Sequence, residues 1–378
     1  MRIPRALTIL LAAALVPVSV GVGAGAASPA AASSNDIVIG VESPQTGDQA
    51  SNGMDMLRGA QLAVRQVNAA GGVLGRHVRI VALDDQADPS LGASLVDKAA
   101  KAGAVAVIGP YNSGVGKVNL PLYVKKSIVP LRMTSATETE GYGATTQPMD
   151  SQISPVEVAY ITSVGAKRVA MLVDIDPSGY TVGMADRTQA ALEAKGIAVT
   201  RVPVTPGLAD YSADVATALA SSPDLIYSST YYPEGSKIAQ EIASTDTDVK
   251  CFMVLANVDP AFVTEAGIAA SQRCVFVGTP TASQLPTARS YVRDYRKAFG
   301  KAPGVWGTFT YDSANVLFAA IRKAGTTSYQ ALSKAVKATK GFNGASGTIT
   351  FERPSGNRKD VPVFVLEVND RGTFVIAD

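Results

Sequence analysis

From Ile37 onward, short runs rich in valine and isoleucine alternate with stretches in which apolar residues recur every three or four positions. This alternation predicts parallel strand-helix units rather than a sandwich of antiparallel strands. Ile37–Val41 reads as the first strand. Met56, Ala60, Ala63, Val64 and Val67 follow at helical spacing, and Gly71-Gly72 ends that helix. His77–Leu83 predicts a strand, Pro89–Ala102 a helix, Ala104–Ile108 a strand, Val115–Lys126 a helix and Ile128–Leu131 a fourth strand. The rhythm then restarts: helix over Pro155–Val164, strand over Arg168–Val173, helix over Gly183–Lys195, strand over Val199–Val204, and further pairs through Val277. Helical patterns return at Pro286–Phe299, Tyr311–Ala324 and Tyr329–Thr339. The tail differs, with strand-like runs at Gly347–Phe351, Val361–Val368 and Thr373–Ile376 separated by turns such as Asn369-Asp370-Arg371-Gly372. Two sheets of similar make-up predict an α/β protein of two doubly wound lobes. Ligands of such folds bind where loops leave the carboxyl ends of the strands.

The first 32 residues do not fit this rhythm. Arg2 and Arg5 precede an apolar run from Ala6 to Val16, and the segment ends in small residues including Ala30-Ala31-Ala32. This is the layout of a secretory signal peptide over residues 1–32, and the run is shorter than the roughly 20 residues a membrane-spanning helix needs. No cysteine near the cleavage region offers a lipid attachment point. The expectation is a soluble, exported protein, periplasmic or extracellular, starting near Ser33.

Composition narrows the function further. The chain has 378 residues, 47% hydrophobic and 17% charged, with 34 Lys plus Arg against 32 Asp plus Glu. Loss of Arg2 and Arg5 with the signal leaves 32 of each sign, so there is no electrostatic footprint for nucleic acid. One histidine and two cysteines leave little for metal or nucleophilic chemistry. His77, beside Arg76 at the start of an apolar run, reads as a solvated strand-edge residue. No metal site, cofactor or catalytic group is expected. Export permits a disulfide, and Cys251 and Cys274 head two apolar runs that read as consecutive strands, so a structural bridge is expected there, with two buried thiols as the alternative.

Several loops at strand ends suit a ligand. Ala104–Ile108 runs into Gly109-Pro110-Tyr111-Asn112-Ser113-Gly114 and then a helix, aiming backbone N–H groups and the Ser113 hydroxyl at one spot suited to a carboxylate or phosphate. Gly116-Lys117 resembles the end of a phosphate loop, but Tyr111 stands where the earlier glycine is needed. The next strand ends in Met133-Thr134-Ser135-Ala136-Thr137, and if the strands are neighbours, Ser113, Ser135 and Thr137 converge as a cup for one anionic group. Tyr180 and Tyr231, after strands of the second half, can wall an apolar pocket. Asp174 and Asp176 read as turn residues rather than an acid-base pair.

Gly47, Gly53, Gly59-Ala60, the run Val67-Asn68-Ala69-Ala70-Gly71-Gly72-Val73-Leu74-Gly75 and Asp84-Asp85-Gln86-Ala87-Asp88-Pro89 resemble the periplasmic binding proteins for leucine, isoleucine and valine. The resemblance continues through Val107-Ile108-Gly109, Ser135-Ala136-Thr137, Tyr180 with Gly183, Tyr231–Glu234 and Tyr311-Asp312-Ser313-Ala314, over nearly the whole mature chain. It implies a type I periplasmic-binding fold, two lobes joined by three crossovers and closing like a hinge on a small-molecule ligand. The implied lobes are 36–152 plus 283–345 and 153–282 plus 346–378. Such proteins deliver solute to the permease and ATPase subunits of an ABC importer, and a monomer is expected. The resemblance also implies roles at the site: Ser113 for the ligand carboxylate, Ser135 and Thr137 from the second loop, with Thr137 also meeting the ligand's amino group, and Tyr180 and Tyr231 as far-lobe aromatics. Two positions depart. A tyrosine that packs on ligand in leucine-binding members is Asn52 here, and the acid that pairs with the ligand ammonium is Ala256, beside Asn257. A buried ammonium without a carboxylate partner costs several kcal/mol. Either Asp174, Asp259 or Glu234 supplies the charge, or the ligand is a keto acid, aromatic acid or amide.

Two other classes compete. An exported sensor of this fold needs a partner membrane receptor, and an exported enzyme needs a carboxylate pair such as Asp174 with Asp176 or Glu234, no histidine being available in a candidate cleft.

Overall fold

Periodicity places nearly every strand where one forms, and the strands gather into two sheets that the chain visits in turn. The computed structural model describes residues 35–175 and 180–377; the expected export signal and Asp176 lie outside the described residues. The first sheet is built from β1 (Ile37–Ser43), α1 (Ala50–Ala69), β2 (Val78–Asp84), α2 (Gly92–Lys101), β3 (Ala104–Ile108), α3 (Ser113–Lys125) and β4 (Val129–Leu131). Its order is β2-β1-β3-β4, all parallel. β1 is buried along its whole length, as a strand covered by helices on both faces requires. The strand order reverses direction beside β1 and β3, the position at which doubly wound sheets open a crevice for ligands.

The second sheet follows with α4 (Asp150–Ser163), β5 (Arg168–Asp174), α5 (Tyr180–Glu193), β6 (Ala198–Val204), α6 (Ser212–Ala220), β7 (Leu225–Ser229), α7 (Glu234–Ser244), β8 (Lys250–Met253), α8 (Pro260–Ala266), α9 (Ile268–Gln272) and β9 (Cys274–Gly278). The chain then returns to the first lobe through α10 (Arg289–Phe299), α11 (Val305–Ala324) and α12 (Tyr329–Lys337), with α10 and α11 packed on α1. A small hairpin of β10 (Phe342–Gly344) and β11 (Gly347–Ile349) precedes β12 (Phe364–Val368) and β13 (Phe374–Ile376). These last two extend the second sheet to the order β13-β12-β9-β8-β7-β5-β6, with β12 antiparallel to β9 and β13 antiparallel to β12. The path crosses between the sheets three times: after β4, after β9 and after β11.

Two local features position the cleft. Cys251 and Cys274 are register partners on β8 and β9 and are joined by a disulfide with a Cα–Cα distance of 4.4 Å. Closing so short a loop contributes on the order of 3 kcal/mol. α1 and α11 meet closely because Gly59 has no side chain: a Cβ there would lie 2.0 Å from the Gly307 carbonyl oxygen. α11 starts at Val305, six residues before the helix that periodicity predicts at Tyr311. That early turn brings Trp306 to the cleft.

Candidate ligand-binding cleft

The loop from β3 delivers Ser113 as the first residue of α3. Asn112, at the cap position, makes no side-chain capping bond; its Nδ2 instead donates to Gln49 Oε1 at 2.9 Å. Ser113 Oγ accepts the Ala136 N–H at 3.3 Å. Two neighbouring strand-end loops are thus joined through Ser113, whose hydroxyl proton is left to donate at the positive end of α3. In the second loop, Ser135 Oγ donates to the Pro148 carbonyl at 3.0 Å and accepts from Gln147 Nε2 at 3.0 Å.

Ser113, Ser135 and Gln147 line a narrow cavity between the two sheets, together with Tyr111, Met133 and Trp306 from the first lobe and Tyr180, Tyr231, Leu255 and Ala256 from the second. Its aromatic members form a continuous arc. Trp306 meets Tyr111 edge-on with ring centres 4.9 Å apart, Tyr111 meets Tyr231 at 6.1 Å, and Tyr231 meets Tyr180 at 5.8 Å. Burial, reinforced by neighbouring tyrosines and carboxylates, holds the Tyr111 and Tyr180 hydroxyls well above the ordinary tyrosine range. Both therefore stay protonated and neutral. The Tyr180 hydroxyl and Trp306 Nε1 are buried with no hydrogen-bond partner among the described residues, two polar groups positioned to meet a bound molecule.

Trp306 is held from a distance. Asp55 on α1 accepts from the backbone N–H of Gly304 at 3.0 Å, the N–H of Gly307 at 2.5 Å and the Tyr295 hydroxyl at 2.8 Å. α11 has no side-chain cap of its own, so Asp55 satisfies the exposed amides of its first turn. Gly307 permits the approach, since a Cβ there would stand 2.5 Å from Asp55 Oδ1.

Of the residues singled out from sequence, Ser113, Ser135, Tyr180, Tyr231 and Ala256 come together on this cavity. Asn52 sits one layer behind, its Nδ2 donating to the Tyr111 hydroxyl at 3.4 Å; the ring in the pocket belongs to Tyr111. Asn257 is buried beneath Ala256 and donates to the Thr230 carbonyl at 2.8 Å, tying two strand-end loops of the second lobe together. Thr137 is exposed at the rim. Its hydroxyl donates to Asp150 at 2.9 Å and accepts from Arg187 of α5 at 3.0 Å, with Arg187 and Asp150 3.7 Å apart.

None of the described lining residues is charged. The three carboxylates considered as replacements for the missing acid are engaged elsewhere or stand back from the cavity. Asp259 caps α8 through the Ala261 N–H at 2.6 Å and accepts from Ser51 Oγ at 3.2 Å; burial pushes its carboxyl up to about 6. Glu234 accepts the Gly207 N–H at 3.0 Å, and Asp174 ends β5 without lining the cavity. Among the described residues no cluster of three or more His, Cys, Asp or Glu is arranged to hold a metal ion, and no helix is long and apolar enough to cross a membrane. Sequence reasoning missed Trp306, Gln147, Met133 and Leu255, and took Tyr111 only as a failed glycine position. That Trp306 is the only tryptophan in the chain was a usable signal; Gln147, in an aperiodic loop, offered none.

A family model described as periplasmic binding protein matches residues 36–373. The Leu/Ile/Val-binding protein BraC3 of Rhizobium johnstonii is 29% identical over 327 residues, covering 84% of this chain and 87% of that protein. The fold matches the leucine-binding protein LivK of Thermotoga maritima with a TM-score of 0.83 at 24% identity, over 90% of this chain and 98% of that one. It also matches a solute-binding protein of R. palustris solved with benzoate, with a TM-score of 0.79 at 18% identity, over 90% and 95% of the two chains.

Proposed function

Because this chain belongs to the periplasmic binding protein family, whose members bind solutes rather than transform them, we propose that it captures a small carboxylate-bearing solute by closure of its two lobes and delivers it to an ABC importer. The lobes in this reading are 36–152 plus 283–345 and 153–282 plus 346–378, acting as an exported monomer on the permease and ATPase subunits of the transporter.

The observation that carries the reading is Ser113. It offers a hydroxyl proton at the start of α3, beside Ser135, in a cavity whose remaining wall, Gln147 apart, is aromatic and aliphatic. A carboxylate there receives a hydroxyl and the positive end of a helix, while the rest of the molecule lies against Tyr111, Tyr231 and Trp306.

The uncharged lining supports one refinement. With Ala256 in the cavity and Asp174, Asp259 and Glu234 outside it, a free ammonium finds no carboxylate among the described residues, and a ligand without one fits better than leucine, isoleucine or valine. The proteins it resembles include a Leu/Ile/Val-binding protein and, by fold, one solved with benzoate.

A thermal-shift and calorimetric panel on the chain from Ser33 tests this. A ligand at 100 times its dissociation constant adds about 2.7 kcal/mol. Stabilisation by aromatic, keto or hydroxy acids but not by branched-chain amino acids is the expected result. Stabilisation by leucine, isoleucine or valine returns the protein to the amino-acid ligand, and stabilisation by no carboxylate refutes the proposal.

A further inference from the structure

The hydrogen bonds around Ser135 fix the orientation of the Gln147 side-chain amide. The Pro148 carbonyl can only accept, so the Ser135 hydroxyl, 3.0 Å away, must donate to it. Ser135 Oγ then has only lone pairs for its second neighbour, so the Gln147 atom 3.0 Å from it must be the donor, Nε2. Reversing the amide would set two acceptors against each other. Gln147 Oε1 is thereby turned from Ser135, and it is buried, in a residue 1% exposed, with no hydrogen-bond partner. Gln147 lines the cavity.

Resting on the reading of this cavity as a carboxylate-solute site, we infer that Gln147 Oε1 is a specificity-determining acceptor, and that the ligand is a carboxylic acid bearing a neutral hydrogen-bond donor, a hydroxyl or an amide N–H, near its carboxylate. Three chemistries separate at this atom. A keto oxygen faces Oε1 as acceptor against acceptor and leaves both unsatisfied. An ammonium gives Oε1 one hydrogen bond but brings a positive charge into a lining that has no carboxylate among the described residues. A hydroxyl or amide N–H matches one donor to one acceptor with no charge left over. Sites that hydrogen-bond a ligand group reject analogues lacking it strongly, because the buried partner is stranded.

Two matched triads test this, read by quenching or shift of the single tryptophan, Trp306, and by calorimetry. One is the hydroxy, keto and amino acid with the leucine side chain; the other is mandelate, phenylglyoxylate and phenylglycine. Within at least one triad the hydroxy acid should bind about tenfold or more tighter than both analogues. Gln147→Glu should reverse the order by admitting the amino acid, and Gln147→Met should remove the preference for the hydroxy acid over the keto acid. A keto or amino acid winning in the unmodified protein overturns the role of Gln147 and leaves the carboxylate reading intact. Binding of none of the six overturns the role of Gln147, and overturns the carboxylate reading as well if the wider carboxylate panel also fails to stabilise the protein. The triads use the unmodified chain, so the inference can fail even if either variant does not fold.

Discussion

One side of the cavity is made of hydrogen bonds and the other of ring faces. Ser113, Ser135 and Gln147 each have their direction dictated by a named partner: the Ala136 N–H, the Pro148 carbonyl and the Ser135 hydroxyl. Tyr231, Leu255 and Ala256 opposite them contribute shape and apolar area, and Tyr180 adds its ring and a buried, unpartnered hydroxyl. A hydrogen-bonded wall discriminates sharply: a site built to bond a ligand group rejects an analogue lacking it by about 10^4–10^5-fold, whereas an apolar wall discriminates gently, at about 1–3 kcal/mol, roughly 10–200-fold, for a whole methylene gained or lost. The kind of polar group on the ligand is therefore set by the first lobe and the crossover carrying Gln147, and its bulk by the second lobe.

The comparison breaks most severely at Asp55, which holds the start of α11 and so joins the polar framework to the aromatic arc. Asp55→Ala strands the Gly304 and Gly307 amides and the Tyr295 hydroxyl. A loss of about 3 kcal/mol or more in urea unfolding is expected, with Trp306 emission moved to the red in the folded protein. Asp55→Asn, which keeps one acceptor oxygen, should lose less. Equal stability of Asp55→Ala and the unmodified chain would show that α11 starts without it.

Behind the aromatic wall lies Glu157, fully buried, accepting from Thr188 Oγ1 at 2.7 Å and the Tyr227 hydroxyl at 2.9 Å. Burial pushes its carboxyl up to about 7 from 4.5, with Asp150 adding to the rise and the two hydroxyls opposing it. A raised carboxyl holds its proton more tightly in the folded state than in the unfolded one. Its effect is therefore small near pH 4.5 and grows as a destabilisation while the pH rises toward 7 and beyond. Between pH 5 and 8 this group alone should cost on the order of 2 kcal/mol. Glu157→Gln should flatten the loss of melting temperature over that range, and an unchanged slope would refute the assignment.

On the polar wall, Ser113→Ala should weaken binding of a carboxylate ligand by about 1.5–3 kcal/mol, the value of a hydrogen bond to a charged group, and should also lower stability by about 1–3 kcal/mol, because the Ala136 N–H loses its acceptor. Titration calorimetry reads it directly. Unchanged affinity would remove Ser113 from the anion cup.

The strand ends carrying Ser113, Ser135, Tyr180 and Tyr231 were legible because period and turn residues are local properties, and the loops after those strands inherit their position from the sheet. Trp306 was not, because the turn that carries it is capped by Asp55, about 250 residues earlier in the chain; no local pattern announces such a cap. α4 likewise begins at Asp150, five residues before Pro155, with the Met149 N–H bonded to Gln152 Oε1 at 3.0 Å. The carboxylates near strand ends misled for the same reason. Asp259 and Glu234 stand where a ligand group would, but backbone amides of Ala261 and Gly207 claim them, which only the folded chain reveals.

The smallest effect should come from Thr137, where the two walls meet at the rim. Resemblance assigns it to the ligand, yet its hydroxyl donates to Asp150 and accepts from Arg187, across the cleft mouth. Thr137→Ala removes both bonds. Arg187 and Asp150 remain 3.7 Å apart and can still pair, and a pair with an exposed cation and a buried carboxylate at the rim is worth about 1 kcal/mol or less. The loss should fall on the closed state and so on the dissociation rate, with a several-fold faster release at most and a stronger effect at low salt than at high. Arg187→Ala should do the same. If Thr137→Ala instead weakens binding as much as Ser113→Ala, and does so equally at all salt concentrations, the hydroxyl turns to the ligand on closure, and the hydrogen-bonded wall extends to the rim.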